Sequence, residues 1–292
     1  MRECDVAVVQ VCSVPDVQAS LDEAERWTRE ALDGGAELVA LPENFWGIGV
    51  ESGKPTVACE LADPTSSPIL ARFAALSAQT DALIALGGLP ERPSAGDPAG
   101  PAGLVYNTFA LLQRGVVVAR YRKIHRFDVS LADGTAHTES ATVAAGDRPC
   151  VVHTDLGALG LSICYDLRFP TLYQSLVAAG AEILLVPAAF TLVTGLDHWA
   201  VLLRARAIEA QSYVLAPAQF GRHNASRHSF GHAMIIDPWG TVIAQASPRA
   251  GVVRARLDAA FLTRIRAELP SLRHRALTDP PKAEVIDLRS GR

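Results

Sequence analysis

The chain has 292 residues, 49% of them hydrophobic and only 20% charged, with a formal net charge of −4. That balance excludes a broad nucleic-acid surface, which needs a basic excess; the late cluster Arg264, Arg266, Arg273 and Arg275 reads as a solvated helix face. No apolar stretch approaches the roughly 20 residues that span a bilayer, and five scattered cysteines imply neither a disulfide framework nor a zinc ribbon. The charged start Met1–Asp5 leads straight into Val6–Val11 with no signal-peptide h-region, so a reduced, cytoplasmic setting is expected.

Taken in order, short Val-, Ile-, Leu- and Ala-rich runs predict strands at Val6–Val11, Leu38–Leu41, Leu83–Gly87, Thr108–Leu112, Val116–Arg120 and Leu159–Ile163. Further strands are expected at Ile183–Val186, Val214–Ala218, Ala233–Ile236, Thr241–Ala244 and Val252–Leu257. Many lack strict alternation, as expected of strands covered on both faces. Helical spacing predicts helices near 18–33, 66–79, 168–179, 196–211 and 259–268. Gln113-Arg114-Gly115 and Asp237-Pro238-Trp239-Gly240 read as hairpin turns. Glu91–Gly103, rich in Pro, Gly and Ala, reads as a long surface loop, and 276–292 as an extended tail after a single domain, 1–275. So many strands interleaved with regular helices predict an α/β layered fold. Two sheets pack face to face with helices outside, an αββα sandwich.

Three segments place an ionisable residue at the end of a buried-looking strand. Glu43 follows Leu38–Leu41 among apolar and aromatic neighbours, where a carboxylate can serve as a general base. A capping or salt-bridged glutamate would look the same in isolation. Lys123 follows Val116–Arg120; held in a pocket, its ammonium would stabilise charge developing on a carbonyl oxygen, although a solvated lysine is the ordinary alternative. Cys164 ends Leu159–Ile163 where a helix is about to begin. The helix N-terminus and a nearby cation are expected to favour its thiolate, against the alternative of a small buried apolar residue. The elbow G-x-S-x-G of serine hydrolases is not satisfied here. His223, His228 and His232 lie close in sequence, but no carboxylate or cysteine completes a ligand set, so no metal is expected. Gly87-Gly88 precedes Leu89-Pro90 rather than a helix, so no nucleotide or other cofactor is implied.

In the order Glu43, Lys123, Cys164, these segments resemble the signatures of the nitrilase superfamily of carbon–nitrogen hydrolases. The likeness runs from Val6 to about Arg275 and is most specific in Tyr121–Asp128, Cys164–Pro170, Thr194–Ala210 and Gly231–Thr241. Ala216–Asn224 with Gly231-His232 looks like the deaminated glutathione amidase branch, with the omega-amidases less similar. The resemblance implies the αββα fold, a cysteine thioester, no metal, and a fourth polar residue, Glu139, orienting Lys123 and the substrate amide. On this reading Glu43 takes the Cys164 proton, and the oxyanion sits between Lys123 and the Tyr165 N–H. The substrate is a small acidic amide and ammonia leaves. The alternatives are omega-amidase or N-carbamoyl hydrolase activity, or a non-catalytic scaffold that keeps the fold. Thr171 and Ala200 depart from the family pattern, which usually has acids there, and this bears on substrate fit or packing. The apolar helix around Trp199–Ala210 and the helix after Phe169 are expected to pair across a two-fold axis in a homodimer.

Overall fold

The structure, a computed structural model, describes residues 1–50, 53–94, 97, 103–130 and 136–277. The larger sheet is built outwards from Cys4–Val11. That strand pairs in parallel with Leu38–Ala40, antiparallel with Gly251–Leu257, and over its last two residues in parallel with Ala218–Arg222. From Leu38–Ala40 the order continues through Leu83–Glu91, Val105–Gln113 and Val116–Arg122, while His228–Phe230 extends the other edge. The smaller sheet runs Val242–Gln245, Met234–Ile236, Tyr213–Ala216, Ile183–Leu185, Gly157–Leu161, Cys150–Thr154.

The period-2 alternation of strand side chains explains the layering. On one face of the first strand, Val6 and Val8 join a core with Leu159, Leu161, Leu185 and Leu215 of the smaller sheet. On the other, Ala7, Val9 and Val11 meet Leu21 and Ala24 of helix Val17–Asp33 and Phe73 and Leu76 of helix Pro68–Ser77. The smaller sheet is covered by helices Pro170–Ala178 and Leu192–Ala210, through Leu172, Leu176, Trp199, Leu203 and Ala207. These four layers are the expected αββα sandwich. Helix starts follow local chemistry: Asp16 accepts from Ala19 N (3.0 Å) and Asp258 from Phe261 N (3.0 Å), caps worth about 1 kcal/mol each.

Several elements differ from the sequence expectation. The single strand Val214–Ala218 is two, Tyr213–Ala216 in the smaller sheet and Ala218–Arg222 in the larger. The chain crosses between sheets at Pro217, which has no N–H to offer a ladder. Leu83–Gly87 runs on to Glu91. Asp128–Ser130, Ala136–Thr138, Val143–Ala144, Cys150–Thr154 and His228–Phe230 are additional strands, short and without a clear apolar pattern. The turn at 113–115 carries Arg114 and Gly115 at φ 48° and 83°, the doubly positive geometry of a type I′ hairpin. Residues 278–292 of the expected tail, and 95–96 and 98–102 of the expected loop, lie outside the described residues. Among those described, no helix is long and apolar enough to cross a membrane.

Leu41, Gly87 and Pro187 approach one another beside the strand ends that carry the ionisable residues. A Cβ on Gly87 would lie 2.2 Å from Leu41 O and 2.4 Å from Pro187 Cβ, so only glycine lets these segments meet. Gly87→Ala is expected to lower the unfolding free energy by about 1–3 kcal/mol, the cost of overpacking. Urea titration checks this, and stability unchanged from the parent would show that the two sheets yield freely there.

Candidate active site

Glu43 follows Leu38–Ala40 by three residues, and Asn44, at φ 54°, turns the chain away behind it. Lys123 directly follows Val116–Arg122. Cys164 begins a single-turn 3-10 helix, Cys164–Arg168, three residues after Gly157–Leu161. All three are buried, and the structure brings them together with Glu139. Lys123 Nζ donates to Glu43 Oε1 at 2.8 Å and to Glu139 Oε2 and Oε1 at 2.8 and 3.1 Å. Glu43 Oε2 accepts from Ala189 N at 3.2 Å, and Cys164 lies on the same pocket wall as Glu43. Glu139 is fixed by Phe127 N at 2.7 Å. Tyr165 lines the same pocket, its N–H one peptide beyond the sulfur.

Burial alone would favour a neutral Lys123, but the carboxylates of Glu139 and Glu43 outweigh it and raise the lysine well above its usual range, so the ammonium persists. Burial likewise opposes charge on Glu139, yet the Lys123 charge and hydrogen bond and the Phe127 N–H hold its carboxyl down at about 2. Cys164 goes the other way. Burial and the Glu43 charge push its thiol well above the ordinary value, more than Lys123 and the Ala189 N–H lower it. The expectation of a resting thiolate is therefore corrected: burial penalises the anion, and the Glu43 charge adds to that penalty.

The backbone at Cys164 has φ 49°, a left-handed conformation that costs an L-residue about 1–2 kcal/mol. It is held there by Cys164 N donating to Pro187 O at 2.8 Å, and by Asp166, which sequence reasoning missed. Fully buried, Asp166 accepts from Ile163 N (2.9 Å), Tyr121 OH (2.7 Å), His125 N (3.0 Å) and His125 Nδ1 (2.7 Å). One carboxylate thus ties the segment bearing Lys123 to the turn bearing Cys164. The His125 ring stacks on Phe169 at 3.6 Å. The available signal was the polar remainder of Tyr121–Asp128 and Cys164–Pro170, whose residues had been given no role.

A second network holds Glu43 from behind. Gln219 Nε2 donates to Glu43 O (3.1 Å) and Ser13 Oγ (2.8 Å), and Ser13 Oγ donates to Phe45 O (2.9 Å). His223 completes it, with Nδ1 at 2.7 Å from Ser13 O and Nε2 at 2.8 Å from Ser229 Oγ. Both nitrogens are engaged, and His232 Nδ1 bonds Gln245, so these histidines do not converge on a common point.

The pocket has a cavity volume of about 140 Å³. Beyond Glu43, Lys123, Glu139 and Cys164, its wall carries the cations Lys54, Arg168 and Arg227 and the rings of Phe127 and Phe190. Thr171 and Ala200 are exposed on their helices and do not line it, so these departures from the family pattern lie on the outer surface.

Burial pushes the His223 imidazole down to about 4, whereas an unfolded histidine titrates near 6.5. The unfolded chain therefore binds a proton between those values that the folded chain does not. The stability due to neutral His223 is complete above pH 6.5 and is lost as pH falls to about 4, a swing on the order of 3 kcal/mol. The gap in unfolding free energy between the parent and His223→Gln is expected to narrow over this window; a gap constant from pH 7 to 4 would contradict the assignment.

Comparison with known proteins identifies the family. The carbon–nitrogen hydrolase family model matches residues 5–267. A deaminated glutathione amidase of Synechocystis sp. is 48% identical over 94% of this chain and 99% of its own length. The Homo sapiens deaminated glutathione amidase is 42% identical over 92% of this chain and 81% of its own. The crystal structure of Saccharomyces cerevisiae Nit3, of branch 10 of the nitrilase superfamily, superposes with a TM-score of 0.81 at 29% identity, covering 94% of this chain and 97% of that one. The chain belongs to the carbon–nitrogen hydrolase family of the nitrilase superfamily and is a hydrolase of carbon–nitrogen bonds.

Proposed function

We propose that Glu43, Lys123 and Cys164 hydrolyse an amide bond of a small carboxylate-bearing metabolite through a thioester, with deaminated glutathione as the leading substrate. The observation that carries the reading is a buried ammonium bonded to two carboxylates in the pocket that Cys164 lines. Glu43 takes the thiol proton as sulfur attacks the amide carbon. The oxyanion is met by Lys123 and the Tyr165 N–H. Glu43 returns the proton to the departing amine, which is ammonia only where the amide is primary, and then activates water to cleave the thioester. Glu139 keeps Lys123 charged and aimed.

The substrate class rests on the pocket wall and on the two amidases. Glutathione without its amino group carries two carboxylates, and Lys54, Arg168 and Arg227 are cations placed to meet them. Omega-amidase or N-carbamoyl substrates would use the same chemistry and are separated by a substrate panel scored by kcat/KM. Five unpaired cysteines support a reduced, cytoplasmic setting.

A homodimer is also proposed, on a different face from that expected. Trp199 is buried and donates to His232 O at 2.9 Å, so it belongs to this chain's own core. The apolar surface left on that helix is Leu192, Val193, Leu196, Val201 and Ile208, of which Leu196 and Val201 are each 66% exposed. Light scattering is expected to report a dimer that the double substitution Leu196→Glu, Val201→Glu dissociates; a monomeric parent would overturn this.

Cys164→Ala is expected to abolish turnover with the fold retained. Full amidase activity in that variant would remove the assignment. Lys123→Arg keeps the charge, but its planar fork does not fit a point position, so kcat should fall by at least about 10²-fold. Glu43→Gln should be partly rescued in acylation by an activated ester, whose leaving group needs no proton, and Lys123→Arg should not. Equal rescue of both would mean that the two roles are exchanged.

A further inference from the structure

Asn107 sits in strand Val105–Gln113, 7% exposed, where nothing in the proposed chemistry uses it. Its side-chain Nδ2 donates to Glu43 Oε1 at 2.9 Å and to Glu139 Oε1 at 3.2 Å. Its backbone oxygen accepts from Lys123 N at 2.8 Å. One residue therefore touches all three charged members of the site. An amide has two N–H donors on one nitrogen, and here one serves each carboxylate. The reversed amide would set its oxygen against two anions, so the orientation follows from the charges. Room for it comes from Gly88, where a Cβ would lie 2.7 Å from Asn107 Oδ1 and 3.3 Å from Glu43 Cγ.

The two oxygens of Glu43 are consequently unlike. Oε1 accepts from Lys123 Nζ at 2.8 Å and Asn107 Nδ2 at 2.9 Å. Oε2 accepts from the Ala189 N–H alone among these groups, at a longer 3.2 Å. A carboxylate oxygen saturated by an ammonium and an amide is a poor site for a proton, and its less engaged partner is the better one. Lys123 cannot make this distinction alone, because its ammonium is shared with Glu139.

We infer that Asn107 is a positioning residue that commits Glu43 Oε1 to the Lys123 cluster and leaves Oε2 to exchange the proton with the Cys164 sulfur and the departing amine. The inference rests on the proposed roles of Glu43 and Cys164. It also makes Asn107 the neutral spacer between Glu43 and Glu139, which would otherwise share a single cation in a dry site. The titratable groups facing Glu43 are Lys123, Glu139 and Cys164, with Lys54, His137 and Tyr165 further along the pocket wall.

The test compares Asn107→Leu, of similar shape without donors, and Asn107→Asp, of the same shape with an added charge, against the parent. Removing a donor from the Glu43–Glu139 pair makes protonation of the base easier. The acid limb of kcat/KM against pH should move up by about one unit in Asn107→Leu and at least as far in Asn107→Asp. At the optimum kcat should fall about 10- to 100-fold while KM stays within about threefold, because the groups that hold the substrate are untouched. Thermal melts identify a variant that has not folded, and Asn107→Asp, which keeps the packing, then carries the test. An acid limb unmoved in a folded variant, or a loss confined to KM, would overturn the inference. If Cys164→Ala were active, the underlying reading would have failed instead, so the two failures are distinct.

Discussion

The ammonium of Lys123, enclosed by protein and bonded to both Glu43 and Glu139, is the interaction on which the rest of the site depends. In water such contacts are worth little, but inside the sandwich each charge has lost its hydration, and deleting one partner of a buried pair costs about 3–5 kcal/mol. The members must therefore arrive together. They come from three distant parts of the chain: the end of Leu38–Ala40, the end of Val116–Arg122, and the short helical turn Glu139–Ala141. Cys164 follows Gly157–Leu161 of the smaller sheet, so the two sheets must also be fixed against each other. Gly87, Pro187 and the buried Asp166 are where the fixing is done, by close backbone approach in the first case and by four hydrogen bonds in the last.

Charge accounting then shapes the chemistry. With Lys123 positive, Glu139 held as a carboxylate and Cys164 held as a thiol, the resting site stores no nucleophilic anion. In the proposed mechanism the thiolate equivalent forms only as sulfur bonds to a substrate carbon, when the negative charge moves onto an oxygen that Lys123 can meet. A neutral resting thiol is also slow to oxidise, since reactivity follows thiolate character. In that proposal the site combines a strong nucleophile in the transition state with an inert cysteine between turnovers.

Much of this was legible in the sequence because the residues that carry it interrupt otherwise apolar strands. Glu43, Lys123 and Cys164 each stand at the end of a run that would be unremarked without them, and the layered fold follows from the number and spacing of those runs. What was not legible is of two kinds. The short strands flanking the site, such as Asp128–Ser130 with Ala136–Thr138, are stabilised by tertiary pairing and have no period of their own. The split of the strand at Pro217 depends on which sheet each half can reach. The supporting polar residues Asn107, Tyr121, Asp166 and Gln219 were hidden for another reason. A single polar residue within an apolar segment does not reveal its partner, and these residues have partners as far as 206 residues away. The thiol illustrates the same limit, since its protonation is governed by burial in the folded site and then by Glu43, neither of which its own segment displays.

The protonation of Cys164 is also the most direct point of contact with experiment. Burial raises the other four thiols too, Cys4 to about 11 and Cys59 to about 12, so they contribute little thiolate near neutrality. The ultraviolet thiolate absorbance of the parent minus that of Cys164→Ala, followed from pH 6 to 9, therefore isolates Cys164. The account predicts no difference signal across that range in the folded enzyme. A thiolate step below pH 8 would mean that Lys123, not Glu43, governs the sulfur, and would contradict the charge assignment from which the proposed chemistry starts.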